Sequence, residues 1–471
     1  MSECKLYEQN RTCCALGGIF TALAIEKVLP VLHAGPGCHS QSGGFLGMAN
    51  GFTAPVTYPD SAVPSTNFCE EDVVFGGADR LRKLTEEALK YYNADLAIIA
   101  SGCTSEIVGD NIGEVAGNFE DSDVPVLHVS LPGFKGNNVW GHSQVLNAII
   151  DQYLTPREVK ANKGQVNIFG IVPYFDPYWF STLEKLERLL LDLGLKPNII
   201  YGPGKGIAAL NRVPDAEFNL ILAPWTDLDI AEKLKEKFGT PYLHYPCVPV
   251  GISETTDFIH ELVKYADLDI NNAEEIIKKS ESRIYYYLQQ QAKAWYGGSM
   301  MPKRLFVNAS AAAALSFVRF AIRDMNFIPY KVFITEDVPE ERQTYIIEKL
   351  KEPKYDGWQD FDVVFTTDGG ACDIEIKKVK DWSLSRATLF GTTWDELTAK
   401  NNAFPFLAIS APSGNDVIID KSYFGYDGEL VFMRDLYNDS IRKFLGSGAV
   451  AKLDVAKTPS VERKVQAAHV C

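Results

Sequence analysis

Four cysteines in the first quarter of the chain lie where thiolates could bind metal, each in a separate segment. Cys38 ends the stretch Gly-Pro-Gly-Cys and Cys103 ends Ser-Gly-Cys, and an apolar run precedes both stretches. Cys14 lies just before an apolar helical stretch, and Cys69 lies just before an acidic one. Thiolates are soft ligands that favour iron–sulfur clusters or zinc. No spacing is C-x-x-C, which argues against a zinc ribbon, whereas one cysteine from each of several segments suits an iron–sulfur cluster.

Cys38 and Cys103 are predicted to converge at one edge of a sheet. The runs 28–32 and 96–100 are apolar and mostly β-branched, as in strands that are buried on both faces of a parallel sheet. Open parallel sheets bind ligands at the carboxyl ends of their strands, which is where both cysteines fall. A glycine before each cysteine allows a sharp turn and a close approach to a bulky group. Taken alone, this pair fits a zinc site, a redox pair or a coincidence.

The nine cysteines do not indicate a disulfide framework, because their number is odd and a cytosolic chain is kept reduced. A single free cysteine is often just a small buried hydrophobic residue, so the weight rests on the group. Cys13 stands next to Cys14. Two neighbours cannot easily bind the same cluster, so one of this pair is expected to be a bystander.

Strands and helices alternate along the whole chain, which predicts α/β domains with parallel sheets. The 471 residues exceed what one hydrophobic core accommodates, and three strand–helix sets divide them. We predict three doubly wound domains: a cluster-binding domain over 1–160, a second over 161–298, and a third with a C-terminal tail over 299–471. Strands are predicted near 28–33, 95–100, 125–130, 166–172, 198–201, 218–223, 241–244, 304–308, 330–334, 362–366, 387–390 and 406–410. Helices are predicted near 77–92, 110–118, 139–153, 178–193, 226–238, 253–266, 272–295, 309–324 and 429–444.

The composition and the missing motifs exclude several functions. The net charge of −15, from 61 acidic and 46 basic residues, argues against general nucleic-acid or anionic-membrane binding. The first residues lack the pattern of a secretory signal, and no run of about 18 apolar residues indicates a membrane span, so a cytoplasmic location is predicted. The segment 202–206 lacks the spacing of a phosphate-binding loop and is expected to be a turn. Neither G-x-S-x-G nor H-E-x-x-H occurs.

Four ordered blocks of sequence resemble the nitrogenase component 1 family. They are His33–Cys38, Glu71–Gly77, Gly102–Asp110 and Pro132–Gly141, and their order and spacing match the family as well. The resemblance covers most of the chain and implies three doubly wound domains and an oxidoreductase subunit that pairs with an α-type partner, usually as an α₂β₂ heterotetramer. It also implies an iron–sulfur cluster at the α–β interface, of the 8Fe–7S P-cluster type or 4Fe–4S, and a separate ATP-dependent iron protein as electron donor.

The resemblance further implies a β-type subunit without a substrate-reducing cofactor or catalytic residues of its own. The segments that match the cofactor cysteine and histidine of α subunits read Leu222–Trp225 and Phe406–Pro412, and neither contains the ligand. Cluster ligands are carried over by position from both subunit types and from related reductases, with one further cysteine as a possible fourth ligand. The implied ligands are Cys14, Cys38 and Cys103, and Cys69 is the candidate for the fourth.

Two departures from nitrogenase β subunits favour a nitrogenase-like reductase. Gly133 stands where those subunits have serine, and Cys69 is displaced by a few residues from their second cysteine. Our leading hypothesis is therefore a β-type subunit that relays electrons to a metallocluster on its partner, for reductive carbon–sulfur bond cleavage as in methylthio-alkane reductase. The alternatives are a nitrogenase β subunit that reduces dinitrogen, a scaffold for metallocluster assembly, and a metal-free α/β ligand-binding protein with structural cysteines.

Overall fold

Three parallel β-sheets follow one another along the described part of the computed structural model. That part comprises residues 13–48, 51, 63–155, 161–296, 301–354, 360–379, 386–414 and 416–444. The strands are β1 (Val28–His33), β2 (Leu96–Ser101), β3 (Val126–Val129), β4 (Asn162–Phe169), β5 (Lys196–Asn198), β6 (Ala216–Leu222), β7 (Tyr242–Tyr245), β8 (Arg304–Ala309), β9 (Ile328–Ile334), β10 (Asp362–Phe365), β11 (Ala387–Gly391) and β12 (Phe406–Ala408).

The strand orders are β1-β2-β3, β5-β4-β6-β7 and β10-β9-β8-β11-β12. All strand pairs within these sheets are parallel. The predicted fold class of three parallel-sheet α/β domains is thus confirmed. Each sheet lies within one of the three predicted domain ranges, whose exact boundaries stay a prediction.

The first sheet shows why apolar runs predicted its strands well. All six residues of β1 and all six of β2 are buried, since helices cover both faces of a parallel sheet. Val28 pairs with Leu96 and His33 pairs with Ser101, so the two strands end level with each other. Elsewhere one strand prediction was wrong in position: β5 ends at Asn198, where a strand near 198–201 was expected.

The helices are α1 (Cys14–Ala24), α2 (Pro36–Met48), α3 (Glu70–Phe75), α4 (Ala78–Tyr91), α5 (Cys103–Val108), α6 (Ile112–Gly117), α7 (Asn138–Ala148), α8 (Trp179–Asp192), α9 (Gly206–Arg212), α10 (Leu228–Phe238), α11 (Gly251–Ala266), α12 (Ile270–Tyr296), α13 (Ala311–Arg323), α14 (Glu340–Lys351), α15 (Ala371–Lys378), α16 (Glu396–Asn401) and α17 (Gly425–Phe444). A π-helical turn, Ile149–Tyr153, extends α7, and short 3₁₀ turns occupy Val213–Asp215 and Thr393–Asp395.

The segments after β1 and β2 are helix starts, whereas the sequence predicted loops. Cys38 lies in the first turn of α2, and Cys103 is the first residue of α5. A close approach requires glycine at Gly102, because a Cβ there would lie 2.6 Å from the Cβ of Ala34. No such need exists at Gly37, where a Cβ would meet nothing within 4 Å. Whether Gly37 allows a bulky group to approach, as expected, therefore stays a prediction.

Helix α1 is buried along nearly its whole length and packs tightly against α7. A Cβ at Gly17 would lie 2.0 Å from the carbonyl oxygen of Asn138, and a Cβ at Gly141 would lie 1.9 Å from that of Cys14. The backbones of α1 and α7 are therefore in direct contact in the first turn of each helix. This contact fixes the start of α1 beside the loop that precedes α7.

None of the helices in the described ranges is both long enough and apolar enough to cross a membrane.

Candidate metal centre

Cys38 and Cys103 emerge from neighbouring parallel strands at the same edge of the first sheet. β1 and β2 end level with each other, and α2 and α5 begin within a few residues of those ends. The backbone N–H of Cys38 bonds to the carbonyl of Gly35 at 3.1 Å, which closes the first turn there. The predicted convergence of these two elements at one sheet edge is what the structure shows.

Cys13 brings a third thiol to this edge. It stands immediately before α1, and it pairs with Asn137 in an isolated antiparallel bridge. Gly133 lies between two of the cysteines: its N–H donates a hydrogen bond to Cys103 Sγ at 3.1 Å, and a Cβ there would lie 3.3 Å from the Cβ of Cys13. The side chains of Cys13 and Cys103 therefore flank one glycine.

The electrostatics of the thiols show that these cysteines lie close together. Burial raises the pKa of Cys38, and negative charge on Cys13 or Cys103 would raise it further. Burial likewise raises the pKa of Cys13, with Cys103 adding to the effect. Thiols with raised pKa values stay protonated in the free chain, and a metal must displace their protons on binding. We call Cys13, Cys38 and Cys103 the thiol group.

Cys14 faces the protein interior. Its side chain is fully buried in the core at the start of α1, where Gly141 of α7 touches its backbone. Burial raises its pKa to about 12, and nearby charge on Cys13 and Cys103 acts in the same direction. Of the two adjacent cysteines, Cys13 is the partly exposed one. The sequence resemblance selected Cys14, and the structure brings Cys13 against Gly133 and Cys103.

Cys69 has a structural role at the start of α3. Its backbone N–H bonds to Asp72 Oδ2 at 2.9 Å, and Arg80 donates a hydrogen bond to its sulfur at 3.4 Å. Arg80 also pairs with Asp72 at 3.0 Å. This sulfur is thus engaged by a guanidinium within the cap of α3. The structure does not show it among the mutually interacting thiols.

A buried His–Asp pair links the elements around the thiol group. His33 is the last residue of β1. Its Nε2 lies 2.9 Å from Asp110 Oδ2, and its Nδ1 lies 3.1 Å from the hydroxyl oxygen of Thr66. The same Asp110 oxygen accepts the N–H of Gly77 at 2.9 Å. Burial lowers the pKa of His33, although Asp110 opposes that effect. In the sequence His33 is only the first residue of the block His33–Cys38; its partner Asp110, 77 residues away, is visible only in the fold.

Exposed apolar side chains surround this edge, which sequence reasoning missed. They belong to α3, α5 and the loop before α7, whereas an isolated exposed apolar residue would need no explanation. The exposed fractions are 51% for Val73, 71% for Val74, 83% for Phe75, 75% for Ile107 and 63% for Phe134. We call these five residues the apolar rim. Several exposed apolar side chains on neighbouring elements indicate an interaction surface.

The thiol group does not form a closed site for a single metal ion. Within the described ranges, no set of three or more histidine, cysteine, aspartate or glutamate side chains converges tightly enough to hold one ion. Three thiols from three segments, with a glycine N–H directed at one sulfur, instead match part of the thiolate donor set of an iron–sulfur cluster. As part of such a donor set, the thiol group would be a half-site that further ligands must complete.

Comparisons with known proteins place this geometry in context. A family model described as nitrogenase component 1 type oxidoreductase matches residues 13–440. The B-type subunit of light-independent protochlorophyllide reductase from Bradyrhizobium sp. (strain ORS 278) is 28% identical over 281 residues, which cover 58% of this chain and 51% of that protein. Its counterpart from Bradyrhizobium sp. (strain BTAi1 / ATCC BAA-1182) is 25% identical over 371 residues, or 76% and 65%. The chain thus spans about half to two thirds of the length of these curated relatives.

Solved structures share the fold. Nitrogenase Cp1 at pH 6.5 superposes with a TM-score of 0.76 at 19% identity, over 93% of this chain and 94% of that one. Nitrogenase Cp1 at pH 5 gives a TM-score of 0.71 at 16% identity, over 94% and 90%. The three-sheet architecture is therefore common to both proteins.

Proposed function

Because the chain belongs to the nitrogenase component 1 type oxidoreductase family, we propose that it is the β-type subunit of an ATP-dependent, nitrogenase-like reductase. It relays electrons from an iron protein, through an iron–sulfur centre shared with an α-type partner, to an active-site metallocluster on that partner. One observation carries the proposal: three thiols from three segments meet at an edge that is surrounded by exposed apolar side chains. Such an edge suits a cluster at a subunit interface.

The cluster ligands that we propose are Cys13, Cys38 and Cys103, and the partner subunit completes the set. An iron–sulfur cluster, of the 8Fe–7S or the 4Fe–4S kind, supplies one-electron transfer when it is bound. This chain's contribution is to hold and tune it: the N–H of Gly133 directed at Cys103 Sγ stabilises a thiolate there and raises the reduction potential of a cluster bound to it. Cys14 supports α1 from the core, and Cys69 holds the cap of α3.

The apolar rim is the surface that we propose for the protein partners. Phe75 and its neighbours in α3 project from a short helix that the His33–Asp110 pair anchors through Gly77. Burial of exposed aromatic and aliphatic side chains drives protein association, at about 25 cal/mol per Å² of apolar surface. The same rim excludes water from the cluster once a partner covers it. An α₂β₂ assembly in the cytoplasm is the arrangement that we propose.

Two substrate classes follow from different observations. The sequence departures at Gly133 and Cys69 favour reductive cleavage of a methylthio-alkane, with substrate bound on the partner. The curated relatives, named as subunits of light-independent protochlorophyllide reductase, favour reduction of a tetrapyrrole ring instead. A nitrogenase β subunit and an assembly scaffold are the remaining alternatives.

The ligand assignment is tested by alanine variants of the chain, co-expressed with its partner and purified without oxygen. Cys13→Ala, Cys38→Ala and Cys103→Ala should each remove most of the iron, the sulfide and the cluster's EPR signal. Cys372→Ala is the matched control, because Cys372 is fully buried in the third domain. Cys14→Ala should keep the cluster. Loss of the signal in Cys14→Ala with retention in Cys13→Ala would reverse the assignment, and colourless, iron-free wild-type complex would refute the proposal.

The activity is tested with the same complex, the iron protein and ATP. Release of a hydrocarbon and a thiol from a methylthio-alkane, ring reduction of protochlorophyllide and ammonia from dinitrogen are measured in parallel. A complex that holds its clusters yet reduces none of these, while it donates a metallocluster to a second apo-enzyme, is a scaffold.

A further inference from the structure

A deep crevice lies where strands of the second and third sheets end. Its empty volume is about 940 Å³, including the space at its mouth. The residues that line it follow the carboxyl ends of six strands, β4, β6, β7, β8, β9 and β12; they include Gly170, Thr226, Val248, Ser310, Glu336 and Ser410. The carboxyl ends of parallel strands are the usual ligand-binding position in α/β folds. The crevice is distinct from the thiol group, which lies at the first sheet.

The crevice nevertheless shares a wall with that first domain. Asn137 and Asn138, at the start of α7, line it. Asn137 also pairs with Cys13 in the antiparallel bridge. The backbone at Asn137 therefore separates a molecule in the crevice from the thiol group.

The ionisable lining of the crevice is acidic. Asp176 and Glu336 contribute carboxyl groups, and the described lining residues include no lysine, arginine, histidine or cysteine. Without a cationic side chain, the crevice disfavours an anionic ligand. Without cysteine or histidine, it also lacks the donors that hold a metallocluster.

Neither carboxyl group has a cationic partner among the residues that the structure describes. Glu336 is only 7% exposed; its Oε2 accepts the N–H of Ala311 at 2.7 Å, and the indole of Trp225 is the other polar group beside it. Asp176 Oδ1 accepts the N–H of Tyr178 at 2.9 Å, and no donor in the described ranges contacts its other oxygen. Burial raises the pKa of Asp176 to about 6 and that of Glu336 to about 7. A buried carboxylate without a cation is costly, so a cation in the crevice would stabilise both.

Two polar side chains of the crevice wall are buried and bond to none of the residues that the structure describes. Asn138 is 2% exposed and Thr226 is 5% exposed, and neither side chain makes a hydrogen bond to any residue that the structure describes. Buried amides and hydroxyls are almost always hydrogen-bonded in folded proteins. These groups therefore have hydrogen-bonding capacity left for a molecule in the crevice.

Aromatic rings form a further part of the crevice wall. Phe175, Phe317, Tyr178 and Tyr423 line the crevice. The hydroxyl of Tyr178 bonds to the carbonyl of Ala408 at 2.7 Å, and that of Tyr423 bonds to Asp435 at 3.1 Å. Lys421 Nζ lies over both tyrosine rings, 5.7 Å and 5.3 Å from their centroids, so Phe175 and Phe317 are the lining rings that remain for a ligand cation. Aromatic faces attract cations and pack well against apolar groups.

We propose that this crevice binds a small organic cation, an amine with an apolar body. Asp176 and Glu336 pair with the ammonium group, the rings enclose the apolar body, and Asn138 and Thr226 hydrogen-bond to its polar atoms. The site is separate from the cluster half-site. Because it lies beside Asn137, an amine that binds there contacts the wall of the first domain, which holds the thiol group.

The test uses the complete complex and three probes of similar size: benzylamine, benzyl alcohol and benzoate. Binding is followed by ligand-observed NMR titration at about pH 8, above the pKa of a raised carboxyl. Benzylamine should bind at least about tenfold more tightly than benzyl alcohol, and benzoate should not bind. The double substitution Asp176→Asn with Glu336→Gln should weaken benzylamine binding by about tenfold.

Two further variants keep the test decisive. Glu429→Gln removes a buried carboxyl of raised pKa outside the crevice, and it should bind benzylamine as the wild type does. Ala313→Phe fills the crevice without removing a charge and should abolish binding. Equal affinity for amine and alcohol, no benzylamine binding, or unchanged binding in either crevice variant would overturn the proposal. Iron content, measured on the same samples, reports on the cluster independently.

Discussion

The contact between α1 and α7 sets the position of Cys13, and it offers the sharpest test of the site. A Cβ added at Gly17 would lie 2.0 Å from the carbonyl oxygen of Asn138, whereas real Cβ contacts essentially never fall below 3.0 Å. The atom that is struck belongs to the backbone, which cannot rotate away as a side chain would. Gly17→Ala therefore requires the two helices to separate by at least about 1 Å, the difference between those two distances.

The magnitude follows from two opposing effects. Alanine raises helix propensity by about 1 kcal/mol over glycine, and overpacking of a tight contact costs about 1–3 kcal/mol. The net expectation is a destabilisation of α1 by up to about 2 kcal/mol. Gly44→Ala is the matched control: Gly44 is also a helical glycine, in α2, but a Cβ there meets nothing within 4 Å. It should stabilise its helix by about 0.5–1 kcal/mol.

Hydrogen–deuterium exchange reports on these helices separately, which matters because a chain with three domains need not unfold in one step. Peptides that cover α1 and α7 should exchange faster in Gly17→Ala and unchanged in Gly44→Ala. The variant should also lose iron, because the shift moves Cys13 away from Cys103. If α1 in Gly17→Ala exchanges as slowly as in the wild type, the close contact is not the feature that positions Cys13.

Three further predictions concern the apolar rim, the buried pair of the first domain and the crevice. Phe75→Ser removes an aromatic ring that is 83% exposed; it should leave stability unchanged but lower iron-protein-dependent electron transfer by about tenfold. Tyr91→Ser, at an equally exposed tyrosine on α4 (82%), should have no such effect on the measured transfer rate. Asp110→Asn weakens the buried pair with the β1 histidine and should cost about 1–3 kcal/mol in chemical denaturation, whereas Asp79→Asn, with a side chain that is 92% exposed, should be neutral. For Glu336 the folded-state pKa of about 7 lies above the unfolded value, so folding retains its proton and stability falls as pH rises toward 7. Glu336→Gln should reduce that slope by up to about 1.4 kcal/mol per pH unit, and an unchanged pH profile of the melting temperature would contradict the assignment.

Parallel strands could be read from the sequence because they are buried on both faces. The runs 28–32 and 96–100 within these strands are continuous and apolar, which is typical of a strand that is covered on both sides. Amphipathic helices such as Ala78–Tyr91 and Trp179–Asp192 were predicted within a few residues for a related reason, since one face of each packs on a sheet. The fold class followed from their alternation.

Short and glycine-rich helices could not be read in the same way. The helix Pro36–Met48 contains four glycines and two serines, so it has no apolar stripe and looks like a loop. The helix Cys103–Val108 is too short for helical periodicity to appear. Their positions come from the sheet edge, because β1 and β2 end together and the chain must leave both strands there. The apolar rim was missed because its residues come from three segments that only the fold assembles.

The choice between Cys13 and Cys14 shows most clearly what the sequence determines and what the tertiary structure adds. The sequence by itself established the α/β class, the family blocks and the presence of cysteines near two strand ends. Cys13 and Cys14 are adjacent, and successive residues at a helix start point in directions about 100° apart, so no pattern tells which one faces the site. The tertiary structure distinguishes the two: the glycine contacts seat α1 against α7, and this docking buries Cys14 in the core and sets Cys13 beside Gly133 and Cys103. The proposal of Cys13 as a ligand rests on this difference.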